Sequence, residues 1–184
     1  IGGNLPTAPA LMGNTVIWKP ASSAMLSAHY ILELLEAAGL PPGVINLVAG
    51  NPARISEIVL DSPDLAGIHF TGSTAVFNSM WNRVGGNIGR YRSYPRLVGE
   101  TGGKEFILAH PSADAQELAV AIVRGGFEYQ GQKCSAASRV YVPQSLWPDV
   151  KDRAVAMMRE VLLGDVADFR TFMGAVIDRK SYTK

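Results

Sequence analysis

The sequence predicts an α/β protein in which short parallel strands alternate with helices. Two observations support this fold class. Short runs rich in β-branched and aromatic residues recur along the chain, and segments with a helical spacing of apolar residues separate them. In the first half, strand and helix alternate three times, which is the order of a Rossmann-like, doubly wound parallel sheet with right-handed crossovers.

The strands are predicted from apolar runs that are bounded by turn residues. In the first half these runs are 15–18, 44–48 and 67–70, with 96–98 as a further strand or a strand edge. In the second half they are 106–109 and 139–142. The pattern changes near 99–104, so we expect one domain to cover 1–99 and the next to cover 100–184.

The first helix of this alternation is predicted from a single apolar stripe. The stripe consists of Ala28, Ile31, Leu32, Leu35 and Ala38. Ser22 or Ser23 can cap the start of this helix, and Gly39 suits its end. The Pro-Pro-Gly sequence at 41–43 then predicts a turn.

Four further helices follow from the same kind of pattern. They are predicted over 53–60, over 74–84, over 114–127, and from Leu146 to a stop at Gly164. The glycine-rich stretch 85–89 is predicted to be a loop.

Composition excludes several classes of protein. The chain has 184 residues, of which 47% are hydrophobic, so it can bury a sizeable core. Its formal charge is +1, and no strong field exists to recruit nucleic acid or an anionic membrane. No apolar run reaches the roughly 18 residues of a membrane span. The single cysteine excludes an internal disulfide and fits a reducing compartment.

No metal site is predicted, because the three histidines lie far apart and make no ligand spacing. They are His29, His69 and His110. The first residue is Ile1 rather than methionine, so we expect a piece of a longer protein, with any targeting signal upstream.

The single cysteine, Cys134, is the first candidate for chemistry. It lies in Gly131-Gln132-Lys133-Cys134-Ser135, and the second candidate, Glu100, lies in Gly99-Glu100-Thr101-Gly102-Gly103-Lys104. A lone cysteine is more often a buried structural thiol. A thiol and a carboxylate, each beside glycines, favour nucleophilic attack on a carbonyl, with Glu100 as a general base.

Two details of this chemistry stay open from the residues alone. The backbone N–H of Cys134 can stabilise an oxyanion, but a complete oxyanion hole needs a second donor. Lys133 either favours the thiolate or points to solvent.

The two strings resemble the aldehyde dehydrogenase superfamily, which carries Glu-Leu-Gly-Gly-Lys and then Gly-Gln-x-Cys at this spacing. Several single residues and short stretches resemble one subfamily in particular, the Δ1-pyrroline-5-carboxylate dehydrogenases. They are Thr101, Ser135, Gly2-Gly3-Asn4-Leu5, Tyr94-Pro95-Arg96-Leu97, Phe127-Glu128-Tyr129 and the stretch 142–148. The resemblance runs over essentially the whole chain.

The resemblance implies NAD(P)-dependent oxidation of L-glutamate γ-semialdehyde, the open form of Δ1-pyrroline-5-carboxylate, to L-glutamate in proline catabolism. Cys134 would form a thiohemiacetal and a thioester, and Glu100 would activate the water that hydrolyses the thioester. Ser135 would anchor the α-carboxylate of the substrate. Another semialdehyde dehydrogenase and a non-catalytic, crystallin-like or scaffolding member are the alternative interpretations.

The resemblance also implies a cofactor site, with 1–99 in the NAD(P)-binding domain and 100–184 in the catalytic domain. Its residues are Lys19, Ser22, Gly72, Ser73 and Gly102. Ser73 follows Phe-Thr-Gly and would hold a phosphate at a helix N-terminus, although a serine there is often only a cap. Ser22 stands where many members have a glutamate that repels a 2′-phosphate, so NAD is expected and NADP stays possible.

The remaining expectations concern the longer protein. The resemblance implies a homo-oligomer that is cytoplasmic in a bacterium and in the mitochondrial matrix of a eukaryote. It assigns the second oxyanion donor to an asparagine upstream of Ile1, since Asn4 falls too late in the motif. It places a glutamate motif, a substrate loop and an oligomerisation hairpin downstream. We therefore expect residues 1–184 alone to be inactive.

Overall fold

The computed structural model describes residues 1–183 and has a mixed α/β architecture. Its helices and strands, in chain order, are α1 (Asn4–Leu11), β1 (Val16–Trp18), α2 (Met25–Ala37), β2 (Ile45–Leu47), α3 (Pro52–Asp61), β3 (Gly67–Thr71), α4 (Thr74–Gly86), β4 (Arg96–Glu100), β5 (Phe106–Leu108), α5 (Ala115–Phe127), β6 (Arg139–Tyr141), α6 (Trp147–Glu160) and α7 (Arg179–Tyr182). The predicted α/β class is confirmed.

Within the described residues, the strands pair in parallel as three two-stranded sheets: β1 with β2, β3 with β4, and β5 with β6. Each pair is joined through at least one helix, as parallel pairing requires. The chain divides into two compact units, one covering Ile1–Thr101 and the other beginning at Gly102.

The core of the first unit forms where α2 covers the β1–β2 pair. Trp18, Ala28 and Ile45 are buried there. Several partly buried side chains pack against them, including Ile31, Leu32 and Leu35 of the predicted stripe. Burying a large apolar side chain contributes about 1.5–3 kcal/mol, so this stripe fixes the face that α2 presents to the sheet.

The end of α2 matches the prediction, and its start does not. Gly39 has a φ of +100°, and the N–H of Leu40 reaches back to the carbonyl of Leu35 at 2.9 Å, which closes a Schellman-type end. Neither Ser22 nor Ser23 caps the helix. Residues 22–24 instead form a 3₁₀ turn, whose own backbone bonds lead the chain into α2.

A cluster of polar side chains joins the ends of α3 and α4. Arg83 Nε and Asn87 Nδ2 each donate a hydrogen bond of 2.7 Å to the Asp61 carboxylate, and the Tyr91 hydroxyl donates to the Leu60 carbonyl at 2.5 Å. Because of these bonds, α4 continues through Gly86, where the sequence predicted a loop.

The Arg83 guanidinium also lowers the pKa of Asp61, chiefly through its hydrogen bond and with help from Asn87. A lowered pKa means that the pair stabilises the fold above the ordinary carboxyl range. That contribution is lost as the pH falls through the lowered pKa.

Helix α1 was not predicted, because its two prolines argue against a helix. Pro6 is buried in its first turns, and Pro9 has no N–H to give to the Leu5 carbonyl. His69 Nδ1, on β3, lies 3.2 Å from that oxygen. A carbonyl can only accept, so Nδ1 is the donor in this contact.

In the second unit, α5 packs on α6 through three buried residues: Ala119, Val123 and Ala154. Asp114 is the N-cap of α5, which begins one residue after the start of the predicted helix, and its carboxylate accepts from the Glu117 N–H at 2.9 Å. Helix α6 ends at Glu160 rather than at Gly164. The residues after it pair with a later segment instead, with Phe172 N donating to the Leu162 carbonyl at 3.0 Å.

Replacing Gly39 with alanine should destabilise the chain by about 1–2 kcal/mol, because an L-residue is strained in the left-handed region. Gly85→Ala is the matched control. Gly85 lies in α4, and an added Cβ meets nothing within 4 Å, so alanine should stabilise by roughly 0.5–1 kcal/mol. Urea denaturation measures both changes. Equal shifts in the two variants would contradict the assigned end of α2.

Candidate functional site

The carboxyl ends of β3 and β4 bring three of the predicted site residues together. Thr71 and Glu100 are partners in the parallel register, and the Gly72 N–H donates to the Glu100 carbonyl at 3.1 Å. Ser73 follows immediately. The backbone of the proposed base is therefore attached to the Phe-Thr-Gly-Ser loop, and the Glu100 side chain is exposed at the sheet edge.

Ser73 is the N-cap of α4. Its hydroxyl accepts from the Val76 N–H at 3.3 Å. The first amides of a helix have no partners within the helix, so those of Thr74 and Ala75 remain available at this end. The structure thus supports the capping role of Ser73 directly, and it also leaves a helix N-terminus that suits an anion.

Two aromatic rings cover the glycines that precede Ser73 and Glu100. A Cβ at Gly72 would come within 2.5 Å of the Phe70 ring, and one at Gly99 would overlap the Phe77 ring. The two rings stack, with centroids 5.8 Å apart and planes 10° from parallel. The contact between Gly99 and Phe77 was not predicted, because only the packing of α4 on β4 reveals it.

Lys19 and Ser22 follow the carboxyl end of β1. Lys19 Nζ donates to the Pro20 carbonyl at 2.9 Å and is partly buried. An ammonium has three protons, so two are left for another acceptor. Ser22 is exposed and begins the 3₁₀ turn before α2.

Cys134 and Ser135 are the two central residues of a tight turn. The Ala136 N–H donates to the Lys133 carbonyl at 3.3 Å and closes this turn, which we call the cysteine turn, residues 133–136. The thiol is exposed, so the interpretation as a buried structural cysteine is wrong. In the part of the chain that the structure describes, no protein acceptor engages the Cys134 amide, as an oxyanion donor requires.

The backbone before the cysteine turn adopts unusual conformations. Tyr129 and Gln130 have φ values of +53° and +59°, and they are the only non-glycine residues with positive φ among the described residues. Gly131 follows with a φ of +68°. Non-glycine residues in this region cost free energy and occur often at functional sites. The left-handed conformation of Tyr129 has no signal in the sequence, since tyrosine rarely adopts a positive φ.

Lys133 is exposed, and its side chain makes two contacts beside the cysteine turn. Its ammonium pairs with the Glu128 carboxylate and lies 5.0 Å from the centre of the Tyr129 ring. Glu128 also pairs with Arg124 at 2.5 Å. The two cations lower the pKa of Glu128, with the Lys133 hydrogen bond as the main cause. Glu128 is thus a charged neighbour of the cysteine turn, a role that the resemblance of Phe127-Glu128-Tyr129 did not reveal.

The other predicted residues are placed as follows. Ser135 is exposed beside Cys134, and Gly102 is exposed at the start of the second unit, where an added Cβ meets nothing within 4 Å. Glu100 belongs to the first unit and Cys134 to the second. Their pairing therefore stays a prediction.

The residues of the first unit fit a dinucleotide in two respects. A parallel strand runs into a capped helix N-terminus at Ser73, and a lysine follows the carboxyl end of β1. Among residues 1–183, no group of three or more His, Cys, Asp or Glu side chains is arranged to hold a metal ion. None of the helices in this range combines the length and apolar composition that crossing a membrane requires.

The aldehyde dehydrogenase family model matches residues 4–184, almost the whole chain. The chain belongs to the aldehyde dehydrogenase family. Among its relatives within this family, the mitochondrial Δ1-pyrroline-5-carboxylate dehydrogenase of Dictyostelium discoideum is 50% identical over 184 residues. That match covers 99% of this chain and 33% of the relative.

Solved structures agree with this family. The crystal structure of the Δ1-pyrroline-5-carboxylate dehydrogenase from Mycobacterium tuberculosis is 57% identical, with a TM-score of 0.92 over 100% of this chain and 34% of that one. The same enzyme with NAD bound is 56% identical, with a TM-score of 0.92 over 99% of this chain and 34% of that one. The chain thus spans about a third of the length of these relatives.

Proposed function

We propose that the full-length protein oxidises L-glutamate γ-semialdehyde to L-glutamate with NAD, as a Δ1-pyrroline-5-carboxylate dehydrogenase of proline catabolism. The observation that carries this proposal is the exposed thiol of Cys134 at the centre of a tight turn, within the family's cysteine motif. The names of the relatives, at about half of the residues identical, support the substrate.

The first chemical task falls to Cys134. Its thiolate attacks the aldehyde carbon, and the carbonyl electrons move to the oxygen, which gives a thiohemiacetal oxyanion. The Cys134 N–H is available to donate to that oxygen. Bound NAD would supply the hydride acceptor, and loss of hydride from this carbon would leave a thioester on Cys134.

Glu100 serves the second half of the reaction. Its carboxylate takes a proton from water, the water oxygen attacks the thioester carbon, and the thiolate of Cys134 leaves. The exposed position of Glu100 at the end of β4 gives the carboxylate access to water. Its backbone is fixed by the bond to Gly72, so only the side chain has to move.

Cofactor binding is proposed for the residues after β1 and β3. Lys19 and Ser22 would contact the ribose end, and Gly72 and Ser73 would hold a phosphate at the start of α4. Gly102 would let the backbone approach the cofactor closely, since the space around it is open. NADP is a second possible cofactor, because no carboxylate occupies position 22.

Domain roles, assembly and compartment are part of the same proposal. Residues 1–99 would belong to the NAD(P)-binding domain and 100–184 to the catalytic domain. The full-length protein would be a homo-oligomer, cytoplasmic in a bacterium and in the mitochondrial matrix of a eukaryote. The mitochondrial name of the Dictyostelium relative supports the latter.

The main test of the mechanism uses Cys134→Ala and Glu100→Gln in the full-length protein. The cysteine variant should lose aldehyde oxidation and keep its affinity for NAD. The glutamate variant should show a burst of NADH and then a slow steady state, because its thioester accumulates. Rapid-mixing absorbance measures both. Near-normal turnover of Cys134→Ala would exclude the covalent mechanism, and no activity in the unmodified protein would favour a scaffolding member.

Ser135→Ala should weaken selection for substrates that carry a carboxylate. Losing one charge-assisted hydrogen bond costs about 1.5–3 kcal/mol, and the loss should appear mainly in KM. Glutamate semialdehyde, succinate semialdehyde and a simple alkyl aldehyde should be compared as substrates. If the alkyl aldehyde suffers equally, Ser135 does not bind the carboxylate. Preference for succinate semialdehyde in the unmodified protein would favour another semialdehyde dehydrogenase.

Residues 1–184 expressed alone should have little or no dehydrogenase activity. They span only about a third of the length of their relatives, and the resemblance places one oxyanion donor outside them. Loss of one such donor reduces turnover by about 10²–10³. NADH formation at saturating substrate measures the effect against the full-length protein. Comparable turnover would mean that the active site is complete within these residues.

A further inference from the structure

The segment before Cys134 contains a charged side chain that the proposed mechanism does not use. Glu128 follows the last residue of α5, and its carboxylate pairs with Arg124 on that helix and with Lys133 at the start of the cysteine turn. The Glu128 side chain is only 27% exposed. One carboxylate therefore connects the end of α5 to the residue next to the nucleophile.

The chain between the two ends of this connection is folded back on itself. Tyr129, Gln130 and Gly131 are left-handed, and the Gln132 N–H donates to the Tyr129 carbonyl at 3.0 Å. Residues in such conformations persist only where their surroundings hold them. The ion pair between Glu128 and Lys133 spans this strained segment.

The other contacts of Lys133 belong to the same arrangement. The Tyr129 ring lies under the Lys133 ammonium, at 5.0 Å from ring centre to nitrogen. The Lys133 carbonyl accepts the hydrogen bond that closes the cysteine turn. Fixing the Lys133 side chain consequently restricts the first residue of the turn. Beyond the turn, the Ala137 N–H donates to the Gly125 carbonyl of α5 at 2.9 Å, which anchors the opposite end.

We propose that Glu128 is a positioning residue that holds the cysteine turn in its reactive geometry through Lys133. The proposal rests on the proposed function, in which the Cys134 thiolate attacks an aldehyde. Glu128 does not touch the reacting atoms in this role. It limits the positions that the thiolate can take, and a displacement of about 1 Å at a nucleophile can reduce the rate by as much as 10².

An ion pair that lies on a helix surface away from the cysteine turn would not restrict the position of the thiolate. Exposed pairs contribute little to overall stability, so removing Glu128 should change the turn and leave the rest of the fold intact. Asp149 provides a matched control in the same unit. It pairs with Arg153 at 2.7 Å on α6, with a side chain that is 56% exposed.

The test compares Glu128→Gln, Lys133→Gln, the double variant and Asp149→Asn in the full-length protein. Hydrogen exchange of the amides of Gln132, Ala136 and Ala137 should be about tenfold faster in the first three variants, with no change in Asp149→Asn. The rate of NADH formation in a single turnover should fall about tenfold in Glu128→Gln and in Lys133→Gln. NAD affinity should stay within about twofold of normal in every variant.

The double variant should be no slower than the slower single one, since both residues act through one contact. Independent losses that multiply in the double variant would overturn the proposal, as would unchanged exchange in Glu128→Gln. Faster exchange throughout the second unit would also overturn it, by showing a general structural role. If the unmodified protein oxidises no semialdehyde, the proposed function is wrong, and local exchange alone decides whether Glu128 holds the turn.

Discussion

Parallel pairing of β3 and β4 is the constraint on which the first part of the site depends. In a parallel pair, both strands end at the same edge, so the residues that follow them become neighbours. The register pairs Thr71 with Glu100, and the bond from Gly72 extends the ladder by one residue. The position of the proposed base thus follows from the same hydrogen bonds that form the sheet.

The cysteine turn depends on a different kind of constraint. No strand carries it, and the helix before it ends at Phe127. Its shape comes from left-handed residues, a turn hydrogen bond and an ion pair, all within ten residues of α5. The glutamate is thus placed by long-range pairing and the thiol by local backbone geometry, so substitutions should affect the two in different ways.

The sequence predicted the features that depend on local chemistry. The stripe of α2 follows from a side-chain pattern, and the end of this helix at Gly39 follows from the special φ of glycine. The features it missed need a distant partner. In helix α1, His69 on β3 lies next to the carbonyl that Pro9 leaves without its helical donor, and the extension of α4 depends on Asp61 of α3. The pairing of Glu128 with Lys133 was not predicted, because it needs the left-handed segment between them.

The contact between Phe77 and Gly99 links two positions that lie in different elements. The ring occupies the space where a side chain at 99 would be, so neither position can change freely. A larger residue at 99 would require a smaller one at 77, and the stacking partner Phe70 would then lose its neighbour. Across homologous sequences, these sites should therefore vary together or remain fixed. Sequence change at the edge that carries Glu100 is therefore restricted by the packing of α4.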